Sequence, residues 1–271
     1  MSGDNLINVN WRQQVLTLKE NLAIIRKRSN KKAVHDLRVS IKKLRSYLRL
    51  KKKIKNEEWK EEFSNTAALF SAFGQLRDFE ISLALVRRYE RKSQASFINL
   101  KKYITAKQRI FRRSAKNFSL KYSDDELTSF DHSFLVIGSA FSNDDICERI
   151  IYLSNIKKEK IKKYERHFQH DAHKIRKLLK DVYYWQKIIP EGFSNGKMDL
   201  KALDKVLDSL GNWQDHFILK EKIGEYRNEK KITGYNESLK ILENKLISDQ
   251  KKLIENAKKK WHAIHKEKGD L

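Results

Sequence analysis

Apolar residues recur along this chain at intervals of three and four, and strand-like alternation is hard to find. Trp11, Val15, Leu18, Leu22 and Ile25 form one seam, a spacing that predicts a helix with a single buried face. A turn is expected at Ser29-Asn30. Val34, Leu37, Ile41, Leu44 and Leu48 form a second seam, and Trp59, Phe63, Ala67, Phe70 and Phe73 a third. The third helix is expected to stop near Gly74, with a further helix opening at Asp78 and carrying Ile81 and Leu85. Phe97, Leu100, Ile104, Phe111 and Phe118 fit another long helix.

Beyond Tyr122 the pattern changes. Residues 123–142 are rich in Ser and Asp and read as a joint, with a short helix over Leu127–Val136. Ile150, Leu153, Ile161, Tyr164 and Phe168 then predict a long helix, with a break near Ser154-Asn155. Ile175, Leu178, Leu179, Val182 and Trp185 continue the helical pattern, and Pro190, Gly192 and Gly196 mark a loop. Asp199 is placed to cap a helix carrying Leu203, Val206, Leu207 and Leu210. Leu239, Leu242, Leu246, Leu253, Ala257, Trp261 and Ile264 line the last helix. The expected fold is all-α, with two tandem, internally duplicated antiparallel bundles of about four helices each, at 1–122 and 143–271.

The duplication rests on two landmarks. His35-Asp36-Leu37-Arg38 is followed by Lys42 and then Gly74-Gln75-Leu76-Arg77-Asp78. His173-Lys174-Ile175-Arg176 is followed by Lys180 and then Gly211-Asn212-Trp213-Gln214-Asp215. The His-to-Gly separation is 39 residues in one copy and 38 in the other. Chance would have to match both landmarks, so an internal repeat is the simpler reading.

Composition supports this. One proline and nine glycines in 271 residues leave room for long helices and short turns. Cys147 is the single cysteine, so no internal disulfide can form and a cytoplasmic setting is expected. No apolar run approaches a membrane span, and the N-terminal residues show no export signal. Lys and Arg number 59 against 35 Asp and Glu, a net charge of +24. Such an excess attracts polyanions: phosphate polymers, nucleic acid or anionic surfaces.

The placement of charge says more than its sum. Segment 31–55 holds eleven Lys or Arg and one acid. His35, Arg38, Lys42, Arg45 and Arg49 step by three and four, one residue beside the second seam. At the rise of an α-helix this stripe runs for about 21 Å. A solvating face would lie opposite the seam and mix its signs. Here one sign borders the core, and like charges at i+4 repel. His173, Arg176 and Lys180, then Tyr183 or Tyr184, occupy the matching stripe, with Lys177 and Lys187 nearby. Lys102, Arg109, Arg113 and Lys116 share a face of another helix, as do Lys245, Lys252 and Lys259 on the last.

VHDLRVSIKKLRSYLRL at 34–50 resembles the signature of the CHAD family, the conserved histidine alpha-helical domain. LFSAFGQLRDFEISL at 69–83 is similar to the segment that follows it there, and the second half repeats both in weaker form. The resemblance implies a duplicated helical bundle that binds inorganic polyphosphate on a basic surface without catalysis; association with polyphosphate granules, a regulatory sensor and a scaffold stay open as the purpose of binding. His35, Arg38, Lys42, Lys43, Arg45 and Arg49 match the family's basic helix, and His173, Arg176 and Lys180 its second copy. Asp181 and Tyr183 stand where the family usually has basic residues, which implies unequal binding by the two halves.

The physical reading agrees with that role. A row of Lys and Arg answers a flexible string of anions, Arg binding phosphate oxygens in pairs and Lys acting as a point charge. His35 and His173 read either as further cations in mild acid or as hydrogen-bonded helix histidines. Asp78 and Asp215 read as helix caps or as orienters of basic side chains. His167, His170 and His173 spread over a wide arc and have no cysteine partner, so no metal or other cofactor is expected. A P-loop is absent, as is the i, i+2 glutamate pair of the triphosphate tunnel enzymes to which such domains are often joined. Tyr47 and Tyr184 lie off the seams, and little else suggests a base-stacking platform. Polyphosphate is the expected partner, nucleic-acid backbone the alternative, and an enzyme acting on the polymer a third reading that lacks a carboxylate cluster. No membrane association and no obligate protein partner is expected.

Overall fold

The computed structural model describes residues 5–28, 30–55, 64–93, 95–122, 141–193, 196–232 and 236–266. Among them are eight α-helices and no strand: α1 (Leu6–Lys27), α2 (Lys31–Lys55), α3 (Ser64–Ser93), α4 (Ile98–Lys121), α5 (Asn143–Tyr164), α6 (Phe168–Gln186), α7 (Leu200–Glu229) and α8 (Glu237–Lys266). A 3₁₀ turn at Glu165–His167 separates α5 from α6. Four helices thus fall in each sequence half, as the periodicity predicts. Trp59, Phe63 and the short helix expected over Leu127–Val136 lie outside the described residues.

Local chemistry accounts for the helix boundaries. The Asn5 side chain accepts from the Asn8 amide and opens α1. The Asn30 side chain accepts from the Ala33 amide and opens α2 at the predicted turn. Ser142 and Asp145 form a reciprocal capping box at the start of α5. Asp199 directly precedes α7.

Four expectations are corrected. The third helix does not stop at Gly74; α3 runs unbroken from Ser64 to Ser93. A glycine inside a helix costs about 1 kcal/mol against alanine, and the buried Phe73, Leu76 and Phe79 carry the apolar seam past it. For the same reason Asp78 and Asp215 sit within α3 and α7 rather than capping a helix. The break foreseen at Ser154-Asn155 is absent, with Ser154 fully buried inside α5. On α2 the seam does not end on Leu48, which is only partly buried, but moves to Tyr47, Leu50 and Lys51. An α-helix drifts against a strict 3–4 alternation, so the buried stripe turns about the axis as it advances.

The helices form two compact units, each drawing on both sequence halves. The first comprises Met1–Phe73, Ala115–Arg166 and Lys177–Leu200. In it α1 packs on α2, with Trp11, Leu18, Leu22, Leu37, Ile41 and Leu44 wholly buried. Arg26 of α1 donates to the carbonyls of Ser119 and Tyr122, tying down the end of α4. The Trp185 indole of α6 donates to the Ser46 carbonyl of α2 at 2.9 Å. The second unit comprises Gly74–Ser114, His167–Arg176 and Lys201–Leu271. Its core joins α3, α4, α7 and α8 through Phe79, Val86, Ile104, Leu219, Leu242 and Leu246, among others.

The predicted loop after α6 contains one position that demands glycine. Gly196 has φ +76°, and a Cβ there would lie 2.8 Å from Ile151 Cγ2. Gly192, in the same loop, has open space around it. Gly196→Ala should cost at least about 1–2 kcal/mol, the strain of a side chain in left-handed backbone. Gly192→Ala should leave thermal stability nearly unchanged. Equal melting temperatures for the two variants would contradict this account of the loop.

Candidate functional site

The first basic stripe lies where the seam forces it. Val34, Leu37, Ile41 and Leu44 of α2 are buried. Arg38, Lys42, Lys43 and Arg45 are half-buried at the margin, and His35 and Arg49 are exposed. Their alkyl stems lie along the protein while the charged heads reach outward.

Phe70 of α3 gathers three of these cations. The Arg38 guanidinium carbon lies 4.4 Å from its ring centroid, that of Arg45 5.5 Å, and Lys42 Nζ 5.9 Å. Arg38 also donates to the Phe70 carbonyl at 3.0 Å. A ring attracts cations through its quadrupole and carries no countercharge of its own. The ring therefore draws the three side chains together without itself adding a countercharge. Sequence reading placed Phe70 in the apolar seam. A signal was available: Leu207, equally placed before Gly211, is its counterpart in the second copy and is an ordinary buried aliphatic.

The neighbouring cations crowd one another. Burial pushes the Lys43 ammonium below the ordinary lysine value, and Lys187, just past the end of α6, pushes it further the same way. Burial likewise lowers Arg45 and the adjacent Arg49 adds to the effect, while the Asp181 carboxylate opposes both. Lys187 itself sits 4.5 Å above the Tyr183 ring.

Arg49 has a different partner. Its Nε donates to both carboxylate oxygens of Asp181 on α6 at 3.0 and 3.1 Å, and Nη2 donates at 2.5 Å. Ser46 Oγ donates to the same carboxylate at 2.8 Å and Lys157 Nζ of α5 at 2.9 Å. Burial alone would raise the Asp181 pKa; Arg49 and Lys157 outweigh it and hold the carboxyl below its usual range. Arg49, a candidate ligand residue in the sequence, is thus engaged within the protein.

The second copy is built differently. In the second unit, His173 Nδ1 shares a 2.9 Å hydrogen bond with Gln214 Oε1, so this histidine is a hydrogen-bonded helix histidine. Arg176 lies 3.9 Å from where a Gly211 Cβ would project. Lys177, exposed, and Lys180, half-buried, belong to the first unit. Arg109 and Arg113 of α4 and Lys252 and Lys259 of α8 are exposed on the second unit, and Lys116 is exposed on the first. Arg109 borders a shallow groove of about 390 Å³ with Arg87, Lys101 and Lys102, where Lys101 pairs with Glu90 at 2.6 Å.

The aromatic inventory also needs correction. Tyr47 and Tyr184, read as standing off the core, are buried. Burial, and then each other's proximity, raises the Tyr47 phenol above its ordinary value. Among the described residues no helix is long and apolar enough to cross a membrane.

Comparison with known proteins agrees with this architecture. The structure aligns with the crystal structure of the CHAD domain from the plant Ricinus communis at a TM-score of 0.71, with 16% identity, covering 97% of this chain and 94% of that one. It aligns with PptA from Streptomyces chartreusis at a TM-score of 0.66, with 12% identity, covering 97% and 100%. No match was found among curated proteins. The CHAD domain profile matches residues 11–223, which takes in both copies of the histidine motif and reaches into both compact units. On that match, the chain belongs to the CHAD family.

Proposed function

We propose that this protein binds inorganic polyphosphate on the basic margin of α2 and catalyses no reaction there. The observation that carries the reading is the convergence of Arg38, Lys42 and Arg45 on one uncharged ring. Lys43 and Lys187, crowded beside them, support it. Holding like charges together is unfavourable in the free protein, and a polyanion relieves the repulsion as it binds. Arginines prearranged by a ring and a carbonyl lose less side-chain freedom on binding than mobile ones.

The aromatic groups favour a bare phosphate chain over a nucleic acid. Tyr47 and Tyr184 are buried, Phe70 lies beneath three cations and Tyr183 beneath Lys187. Stacking of bases needs open rings between the cations. The chain's family membership supports the same reading, as does the match of His35, Arg38, Lys42, Lys43 and Arg45 to the family's basic helix. Arg109, Arg113, Lys116, His173, Arg176, Lys177, Lys180, Lys252 and Lys259 are secondary contacts in this proposal.

Labelled polyphosphate held by the protein, challenged at fixed salt with tRNA and duplex DNA, should stay bound when nucleic-acid phosphate matches polyphosphate phosphate. Displacement at lower nucleic-acid phosphate would assign the face to nucleic acid. Arg38→Glu with Arg45→Glu should weaken polyphosphate binding at least about 100-fold, two charges being reversed at a phosphate-binding face. Circular dichroism should show the helical content unchanged. Retained affinity in that variant would place the site elsewhere.

The depressed Lys43 pKa gives the binding a pH dependence. The charged ammonium is the binding form, so affinity is full below its pKa and falls as pH rises through it. Because that pKa lies below the ordinary value, the fall should begin at lower pH than a free lysine, at about 10.4, would give. Lys43→Arg should move the fall to higher pH, as a titration of affinity from pH 7.5 to 10.5 would reveal.

A further inference from the structure

The C-terminal end of the α2 stripe meets an anion cradle that the chain itself fills. Arg49 grips the Asp181 carboxylate with two nitrogens, Lys157 donates from α5 and Ser46 from α2. A bidentate guanidinium, an ammonium and a hydroxyl around two oxygens is a donor set suited to a phosphate group. The carboxylate is fixed from its own helix as well. Trp185, one turn beyond Asp181, donates to the Ser46 carbonyl.

We propose that Asp181 is an intramolecular counter-anion that withholds Arg49 from the phosphate track. This inference rests on the polyphosphate reading of the α2 face. With Arg49 engaged, the face offers one cation fewer than the sequence stripe contains. The Arg49 side chain retains 49% of its exposure while bound, against 18% for Lys157. Arg49 is therefore the group that would turn outward if the carboxylate were removed. Lys157 would stay against the Trp185 ring, 4.6 Å from its centroid.

Asp181→Asn should tighten polyphosphate binding by about five- to tenfold, with a salt dependence steeper by about one released counterion. Adding Arg49→Met to it should abolish the gain. Glu159→Gln removes an acid from the exposed face of α5, where it pairs with Lys162; it controls for net charge and should change affinity less than twofold. If Asp181→Asn folds poorly, Asp181→Ser gives the same comparison. The unmodified protein offers a measurement independent of any variant. On titration with polyphosphate, the side-chain Nε–H signals of Arg38 and Arg45 should shift in NMR spectra while that of Arg49 stays in place.

Wild-type binding with no gain on removing Asp181, a gain matched by Glu159→Gln, or a moving Arg49 signal would each overturn the counter-anion while leaving the polyphosphate reading intact. Absence of wild-type binding would overturn both.

Discussion

Burying the apolar seam of α2 decides where its charge must go. The cationic stripe follows the seam one residue behind, so packing Val34, Leu37, Ile41 and Leu44 carries Arg38, Lys42 and Arg45 to the margin of the core. There they can neither spread over the solvent side of the helix nor withdraw from one another. The hydrophobic gain of closing the seam, about 1.5–3 kcal/mol for each fully buried large aliphatic residue, far exceeds a few tenths of a kcal/mol of screened repulsion for each like-charge pair. The fold therefore sustains a concentrated positive margin as a by-product of forming its core.

What sits opposite those cations differs along the helix, and the difference divides their roles. Phe70 gathers Arg38, Lys42 and Arg45 without cancelling charge. Asp181 takes up Arg49 with a full negative charge. An aromatic ring and a carboxylate both draw a guanidinium close, but only the carboxylate competes with an incoming anion. One stripe at uniform helical spacing thus has three cations gathered on a ring, followed by Arg49 paired with a carboxylate.

The two copies of the repeat have diverged along this line. Counting from the shared histidine, Lys43 corresponds to Asp181, Arg45 to Tyr183 and Arg49 to Lys187. The second copy has exchanged a cation for the carboxylate that the first copy's Arg49 meets, within the same compact unit. It has also exchanged Arg77 for Gln214, which holds His173. Duplication supplied two similar helices, and substitution made one a donor of cations and the other largely their support.

The helices themselves were legible because a period near 3.6 leaves its mark within each segment. Trp11 to Ile25, Val34 to Leu44 and, on the last helix, Leu239, Leu242, Leu246, Ala257 and Trp261 are buried as their spacing requires, with Ile254 buried in place of the expected Leu253. The stripe, the repeat and the loop at Pro190–Gly196 follow from the same local information. A glycine inside a long apolar pattern misled the reading at Gly74, because local propensity is weaker than the packing on either side of it. Tyr47 was misplaced because helical drift, small over one turn, accumulates along α2. The partners of the cations lay beyond reach for another reason. Arg49 meets Asp181 across 132 residues of chain and Arg38 meets Phe70 across 32. No periodicity spans such separations; only the packing of one helix on another sets which side chains face each other, and hence which charges are gathered and which are cancelled.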